Sequence, residues 1–199
     1  HTVTRSHDAR GAVGFPVPDD ALAQRLATRL ASVEERLHEA ARHADSLADA
    51  TSRHLMSAGG KRLRPLLTLL CAELCEADAT EVLDAAVVVE LTHLASLYHD
   101  DVMDSAPLRR GAPAAHELWG NNVAILTGDL LFARASLTVA GLGPQAVELQ
   151  ARTFERLCLG QLRESVDPGE GDDPVAHYIQ VLADKTASLL ATSALFGAR

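Results

Sequence analysis

Three aspartates end a long apolar stretch of this sequence, at positions 100, 101 and 104. On a helix of about 3.6 residues per turn, Asp100 and Asp104 lie one turn apart on one side, which His93 shares two turns earlier. Carboxylates so close together repel one another and need a cation between them. Their oxygens suit hard divalent ions, and Mg²⁺ typically takes one or two carboxylates plus substrate phosphates. The cluster of Asp100, Asp101 and Asp104 therefore predicts a Mg²⁺ site.

Two arginines, Arg109 and Arg110, follow the aspartates in a loop that contains proline and glycine. The guanidinium group is a planar, fork-shaped donor that matches phosphate oxygens. The stretch from residue 90 to residue 111 therefore predicts a site for a Mg²⁺-bound diphosphate. A solvated helix end is the alternative interpretation, but the dipole disfavours carboxylates at a helix C-terminus, and the preceding residues are mostly apolar.

A second basic segment places Gly59 and Gly60 before Lys61 and Arg64, at the expected start of a helix. Backbone N–H groups and the helix dipole favour an anion there, and the two cationic side chains add charge. Taken alone the segment is a weak indication, because Lys and Arg are common at loop edges. Beside the aspartates, it becomes a strong indication of anion binding.

Lys185 and Thr186 lie inside an apolar helical pattern that runs from residue 178 to residue 195. A buried lysine needs a partner, and a Mg²⁺-bound diphosphate is a plausible one. His93 has two interpretations: a satisfied core histidine, which is the usual case on an apolar face, or a ligand contact. Its phase relative to Asp100 favours the ligand contact.

Composition and charge limit the classes of protein to which this chain can belong. The chain has 199 residues, is 47% hydrophobic and only 4% aromatic, and carries a net charge of −9. This length is that of one ordinary domain, and the residue balance favours packed helices over sheets. The negative charge argues against nonspecific nucleic-acid binding, whereas the local basic islands fit the capture of small polyanions.

Helical periodicity covers most of the chain, and no stretch shows sustained strand alternation, so we expect an all-α fold. Residues 105–113 are expected to form a loop, and residues 1–18 a flexible lead-in to one helical domain over 19–199. The predicted helices cover residues 22–37, 44–56, 66–76, 80–104, 121–140, 145–165 and 178–195.

The sequence shows no apolar signal region at its beginning, and no uninterrupted apolar run appears long enough to span a bilayer. We therefore expect a cytoplasmic protein without a transmembrane segment.

Together these segments closely resemble the trans-type isoprenyl diphosphate synthases, also called polyprenyl synthetases. The match runs in the family's order from the GGKRLRP segment at 59–65 through DDVMD at 100–104 and LRRG at 108–111 to KT at 185–186. The resemblance implies an isoprenoid synthase-type helical bundle around a deep apolar cavity, usually in a homodimer. This chain would supply about the N-terminal two thirds of that bundle.

The resemblance also implies roles for individual residues. Four positions match those that hold isopentenyl diphosphate: Lys61, Arg64, His93 and Arg110. Three match contacts to the allylic diphosphate: Arg109, Lys185 and Thr186. Asp100 and Asp104 match Mg²⁺ ligands, with Asp101 assisting. Among all of these, the catalytic residues are expected to be Asp100, Asp104 and Lys185.

The activity that follows from the resemblance is a Mg²⁺-dependent condensation of isopentenyl diphosphate with an allylic prenyl diphosphate. In this family, bulky side chains four or five residues before the first aspartate block the growing product. Here Ala95 and Ser96 occupy those positions, and both are small, which favours a long product. Tyr98 is a nearby bulky candidate for closing the cavity. Transient membrane contact would help to release such a product.

One departure from the family pattern stands out. The family carries a second aspartate-rich motif on a later helix, but the sequence stops at Arg199, and Asp172-Asp173 lies in a loop before the lysine. We therefore expect either a piece of a longer enzyme or a shortened relative. The alternative functions are a class I terpene cyclase, which does not need the basic residues at 61–64 and 109–110, and a non-catalytic subunit that binds prenyl diphosphates beside a partner synthase.

Overall fold

The computed structural model describes residue 17, residues 19–75 and residues 78–199. The predicted lead-in over residues 1–18 lies outside this part except for Val17, which is buried against the core. Helices form nearly all of the regular structure, as predicted. Their bounds are α1 Asp20–Ala40, α2 Ser46–Ser57, α3 Leu63–Ala72, α4 Thr80–Met103, α5 Ala115–Trp119, α6 Asn121–Ala140, α7 Pro144–Glu164, α8 Pro174–Leu182 and α9 Ser188–Gly197, with a π-helical turn, Ala183–Ala187, between the last two.

Aspartate caps fix the beginnings of several helices. The Asp19 carboxylate accepts a hydrogen bond from the Ala21 backbone N–H at 2.8 Å, and Asp45 accepts one from Ala48 at 2.9 Å. These side chains satisfy N–H groups that have no partner within the helix. Along α1, Leu26, Val33 and Leu37 are fully enclosed, and Leu22 and Leu30 pack partly buried beside them.

Helix α4 is the central element of the fold and carries the predicted aspartates at its end. It packs against α6 most extensively, and also against α1, α3 and α9. Because neighbours surround it, its buried residues occur on all sides instead of on one stripe. This environment holds the last turn of α4 rigidly, and therefore fixes the position from which Asp100 and Asp104 project.

The loop predicted over residues 105–113 contains a small hairpin. Strand β1 (Leu108–Arg109) pairs antiparallel with β2 (Ala112–Pro113). The two residues between them, Arg110 and Gly111, have φ angles of 55° and 80°. Two positive values are required by a type I′ turn, which suits glycine at the second position but strains a non-glycine residue at the first. Arg110 is therefore held in a specific direction.

Helix α6 differs from the expectation that no segment could span a bilayer. Among the described residues, this one helix is long and apolar enough by length and composition, with a mean hydropathy of 1.5. One third of its apolar window is buried inside the protein, where the helix packs along α4. The helix remains weak evidence for a membrane span.

Candidate functional site

Asp100 and Asp104 lie side by side at the end of α4. Asp104 is the C-cap residue directly after the helix, and its backbone N–H donates to the Asp100 carbonyl at 2.8 Å. Burial raises the pKa of Asp100; the negative charge of Asp104 adds to the rise, while the nearby Lys185 ammonium opposes it. A half-buried carboxylate beside a second carboxylate is an environment that a bound cation would stabilise.

Asp101, which the resemblance placed beside the Mg²⁺ ligands, is paired with an arginine in the structure. It is buried, and its Oδ1 atom accepts hydrogen bonds from Arg109, from Nε at 2.7 Å and also from Nη2. Its Oδ2 atom is buried without a hydrogen-bond partner among the described residues. The predicted metal ligand Asp101 and the predicted diphosphate ligand Arg109 are thus paired with each other, which leaves Asp100 and Asp104 as the carboxylates available to a cation.

Two carboxylates fit Mg²⁺ better than a complete protein cage would. Within the part of the chain that the structure describes, no group of three or more His, Cys, Asp or Glu side chains is arranged to hold a metal. Mg²⁺ characteristically uses one or two carboxylates and fills its remaining positions with water and substrate phosphates. Asp100 and Asp104 would therefore hold the ion jointly with a bound diphosphate.

A network of buried charges includes Glu90 of α4, and Arg62 is at its centre. Arg62 donates to both oxygens of Glu34 at 2.8 Å and to Glu90 at 3.1 Å. Its backbone has a left-handed φ of 48°, just before α3 begins, which turns the side chain inward. From the sequence, no role was assigned to Arg62, Glu34 or Glu90. Glu90 was a visible signal, because it is a single charged residue within an apolar stretch of the helix.

Arg64, in the first turn of α3, and Arg110, in the hairpin turn, lie close to the same network. Arg110 donates to the Leu55 carbonyl at 3.1 Å and to the Gly59 carbonyl. Burial lowers the pKa of both Arg64 and Arg110; the charge of Arg110 lowers that of Arg64 further, and the charges of Arg62 and Arg109 lower that of Arg110. Gly60 allows this approach, because a Cβ atom there would lie 2.8 Å from the Arg110 guanidinium. Positive charge that remains poorly compensated in a buried place is typical of an anion site.

His93 faces this positive cluster, as its phase on α4 indicated. Burial lowers the pKa of His93 to about 3, and the charges of Arg64 and Arg110 contribute to the decrease. The imidazole is therefore neutral at physiological pH, so it can offer an N–H donor without adding another positive charge. Lys61 is exposed at the edge of the cluster.

Lys185 and Thr186 lie in the π-helical turn after α8. The Lys185 ammonium pairs with the Glu164 carboxylate, and one quarter of the lysine side chain is exposed. The turn directs Lys185 toward Asp100, at the solvent-facing opening around Asp100 and Asp104, here called the mouth. Thr186 is exposed. Glu164, which the sequence did not single out, is the partner of Lys185 in this state.

The residues expected to set product length separate into three environments. Ala95 is enclosed in the core, where its carbonyl lies 3.0 Å from the place that a Cβ on Gly128 of α6 would occupy. Ser96 is partly exposed, and its hydroxyl donates to the His93 carbonyl at 2.7 Å. Tyr98 accepts from the Leu55 N–H at 3.2 Å and donates to the Thr51 carbonyl. Tyr98 therefore ties α4 to α2.

A cleft lined by both polar and apolar residues lies at the opposite end of α4 from the aspartates. Its volume is about 390 Å³, and Val82, Ala85, Leu142 and Phe196 are among the residues that line it. At a rise of about 1.5 Å per residue, Val82 lies roughly 27 Å along the helix from Asp100. The cleft is thus distinct from the charged mouth.

Comparison with known proteins identifies the family of this chain. The family model described as polyprenyl synthetase matches residues 45–199. The chain is 45% identical over 185 residues to the nonaprenyl diphosphate synthase of Mycobacterium tuberculosis, covering 92% of this chain and 55% of the relative. It is 41% identical over 174 residues to heptaprenyl diphosphate synthase component 2 of Geobacillus stearothermophilus, covering 87% and 54%. The chain belongs to the polyprenyl synthetase family.

A solved structure supports the same fold. The polyprenyl synthase of Caulobacter crescentus, complexed with calcium and isoprenyl diphosphate, superimposes with a TM-score of 0.84 at 35% identity. The superposition covers 90% of this chain and 55% of that protein. The isoprenoid synthase-type helical fold is therefore confirmed, and the chain spans about half the length of the curated relatives that it matches.

Proposed function

We propose that this chain forms the substrate-binding part of a trans-polyprenyl diphosphate synthase. The enzyme would condense isopentenyl diphosphate with an allylic prenyl diphosphate to give a longer all-trans polyprenyl diphosphate. The observation that carries the proposal is the pair of unlike anion sites around the end of α4. One has the carboxylates of Asp100 and Asp104 beside Lys185, and the other has the partly buried cations Arg64 and Arg110 beside neutral His93.

Each site suits one diphosphate. The carboxylate site needs a cation to accept an anionic ligand, which fits a diphosphate that must also leave during the reaction. The site around Arg64 and Arg110 can bind a diphosphate directly, which fits a substrate that keeps its diphosphate. Arg109 and Lys185, at the mouth, would complete the first site once they exchange Asp101 and Glu164 for phosphate oxygens.

The chemistry needs no side-chain nucleophile. The allylic carbon–oxygen bond breaks, and its electron pair leaves with the diphosphate. The double bond of isopentenyl diphosphate then forms the new carbon–carbon bond, and the proton lost afterwards passes to the departed diphosphate. Mg²⁺, when bound by Asp100 and Asp104, would neutralise charge on the leaving group. The protein's own contribution is to hold both substrates in reacting orientation and to present Lys185 to the leaving oxygens.

The use of Mg²⁺ is part of the proposal. The solved relative was complexed with calcium, which indicates a divalent-cation site in that protein. Two adjacent carboxylates with room for phosphate oxygens favour the smaller ion here. Cytoplasmic location is also proposed, and the free thiols of the three cysteines are compatible with a reducing compartment.

The assembly that we propose is a homodimer. The outer face of α6 is exposed and carries Leu126, Ala133 and Leu137, which repeat at helical spacing. A heteromeric synthase is the second candidate, favoured by the likeness to a protein named as a component of a heptaprenyl diphosphate synthase. Sedimentation of the purified chain distinguishes these assemblies, because a monomer that pairs only with another subunit would contradict the homodimer.

Transient membrane contact is proposed for product release. The outward face of α8 exposes four apolar side chains: Val175, Tyr178, Ile179 and Leu182. This stripe lies directly before the π-helical turn that holds Lys185, and so is near the site.

A product assay tests the proposed activity. Purified protein is incubated with isopentenyl diphosphate, Mg²⁺ and either farnesyl or geranylgeranyl diphosphate, and chain lengths are determined by mass spectrometry. Products longer by multiples of five carbons support the synthase. Diphosphate binding without elongation would instead support the non-catalytic subunit, and the absence of binding would overturn both.

Ser96→Phe is expected to shorten the product, because the side chain at this position is partly open and a phenyl ring would project from α4 toward the growing chain. Ala95→Phe is the matched variant, and it should instead reduce stability, since overpacking a closed core costs about 1–3 kcal/mol. Mass spectrometry gives the product lengths, and thermal unfolding gives the stabilities. An unchanged product from Ser96→Phe would exclude this residue from the cavity wall.

The buried His93 predicts acid sensitivity. Its folded pKa of about 3 lies below the ordinary value of 6.5, so between these pH values the unfolded chain binds a proton that the folded chain does not. Stability should therefore fall as pH decreases below 6.5, by at most about 1.4 kcal/mol per pH unit from this residue. Urea unfolding at pH 7 and pH 5 should show a smaller loss for His93→Gln. An equal loss in both proteins would contradict the prediction.

A further inference from the structure

The π-helical turn Ala183–Ala187 contains a buried charge that the proposed reaction does not use. Asp184 is 3% exposed, although it lies only one residue before Lys185. A π turn contains an extra residue relative to an α-helix and tends to occur at functional positions. Burying an aspartate costs free energy unless it is paired and hydrogen-bonded, so its partners identify what the turn is anchored to.

Three donors hold the Asp184 carboxylate. Arg156 Nε donates to Oδ1 at 3.0 Å, Gln180 Nε2 donates to Oδ2 at 2.8 Å, and Arg163 also donates to Oδ2. Arg156 and Arg163 are two turns apart on α7, so they grip the turn from one helix face. These bonds, with the one from Gln180 foremost, lower the pKa of Asp184 and keep it ionised.

Helix α7 also approaches the turn with its backbone. A Cβ atom on Gly160 would lie 2.7 Å from the backbone nitrogen of Lys185 and 3.0 Å from the Asp184 Cβ, so only glycine allows this contact. The turn is thus pressed against α7 at Gly160 and held on both sides of that point by the two arginines.

We infer that Asp184 is a positioning residue, which the two α7 arginines and Gln180 clamp so that the π turn presents Lys185 to Asp100. Successive residues of a helix point about 100° apart, so fixing residue 184 inward directs residue 185 toward the mouth. There the Lys185 ammonium lies beside Glu164 and close to Asp100. The inference deepens the proposed function, on which its role toward diphosphate rests.

The chain has only two lysines, Lys61 and Lys185, which allows a test that needs no substrate. Reductive methylation with a ¹³C label gives one NMR signal for each lysine, beside that of the amino terminus. Asp184→Asn should move the Lys185 signal toward that of a free lysine and leave the Lys61 signal in place. A Lys185 signal that does not move would overturn the inference, whether or not the protein is a synthase.

Binding of farnesyl diphosphate with Mg²⁺, measured by calorimetry, tests the consequence for the site. Asp184→Asn should weaken binding roughly tenfold, as expected when a cation is displaced from its ligand. The same substitution should have almost no effect in Lys185→Ala protein, because the effect passes through Lys185. An equal loss in both backgrounds would show a general structural effect and contradict the positioning role.

Two further variants complete the design. Arg156→Gln replaces a half-exposed residue and removes one hydrogen-bond donor from Asp184. It should also move the Lys185 signal and weaken farnesyl diphosphate binding, but less than Asp184→Asn does, and it provides the test if Asp184→Asn does not fold. Arg152→Gln is the control, since Arg152 lies one turn earlier on α7 and pairs with Glu148 at the surface. Failure of wild-type protein to bind farnesyl diphosphate would overturn the proposed function, whereas an unmoved Lys185 signal would overturn only the positioning role of Asp184.

Discussion

Asp100→Ala is expected to remove prenyl transfer almost completely. Loss of one of two carboxylates leaves a divalent ion with too few protein ligands, and the leaving diphosphate then loses its charge neutralisation. Removing a single group that stabilises developing charge typically slows a reaction by roughly a hundred- to a thousandfold. The effect should appear both in turnover and in Mg²⁺-dependent binding of farnesyl diphosphate.

The fold of Asp100→Ala should be preserved. Among the described residues, no hydrogen bond ties the Asp100 carboxylate to another side chain, and burial raises its pKa. Removing this carboxylate therefore relieves an unfavourable burial. Asp78→Ala is the control, because Asp78 is fully exposed and pairs only loosely with Arg29, at 3.5 Å. Near-normal turnover of Asp100→Ala would exclude Asp100 from the metal site.

Arg62→Met is expected to give the largest loss of stability. Arg62 is buried and neutralises Glu34 and the almost completely buried Glu90. Removing one member of a buried ion pair strands the other charge, at a cost of roughly 3–5 kcal/mol. Urea unfolding at pH 8 measures this loss. Arg152→Met is the control, because its exposed pair with Glu148 should contribute less than about 1 kcal/mol.

The pH dependence of the Arg62→Met variant identifies the stranded group. Burial already raises the pKa of Glu90 in the wild-type protein, and loss of Arg62 should raise it further. A folded state that binds a proton more tightly than the unfolded state loses stability as pH rises through the raised pKa. The variant should therefore be closer to wild type at pH 5 than at pH 8, and Glu90→Gln in the same chain should restore part of the loss at pH 8. A deficit that is independent of pH would show that Glu90 is not the stranded charge.

The sequence by itself determined the helices and the residues most suited to chemistry. Helical period, caps and glycine-proline breaks are properties of neighbouring residues, so α4, α6 and α7 were predicted close to their observed bounds. The phase that placed His93 and Asp100 on one side of α4 is equally local. The motif at residues 100–104 is local too, which is why the metal hypothesis needed no tertiary information.

Only the tertiary structure decided which charges meet. Asp101 of α4 pairs with Arg109 of the hairpin, Arg62 meets a glutamate 28 residues before it and another 28 residues after it, and Asp184 accepts hydrogen bonds from two arginines of α7. No periodicity encodes these partners, because they depend on how helices pack and on the left-handed backbone at Arg62 and Arg110. Side-chain spacing along one helix is fixed by backbone geometry, whereas pairing between elements is fixed by the whole core.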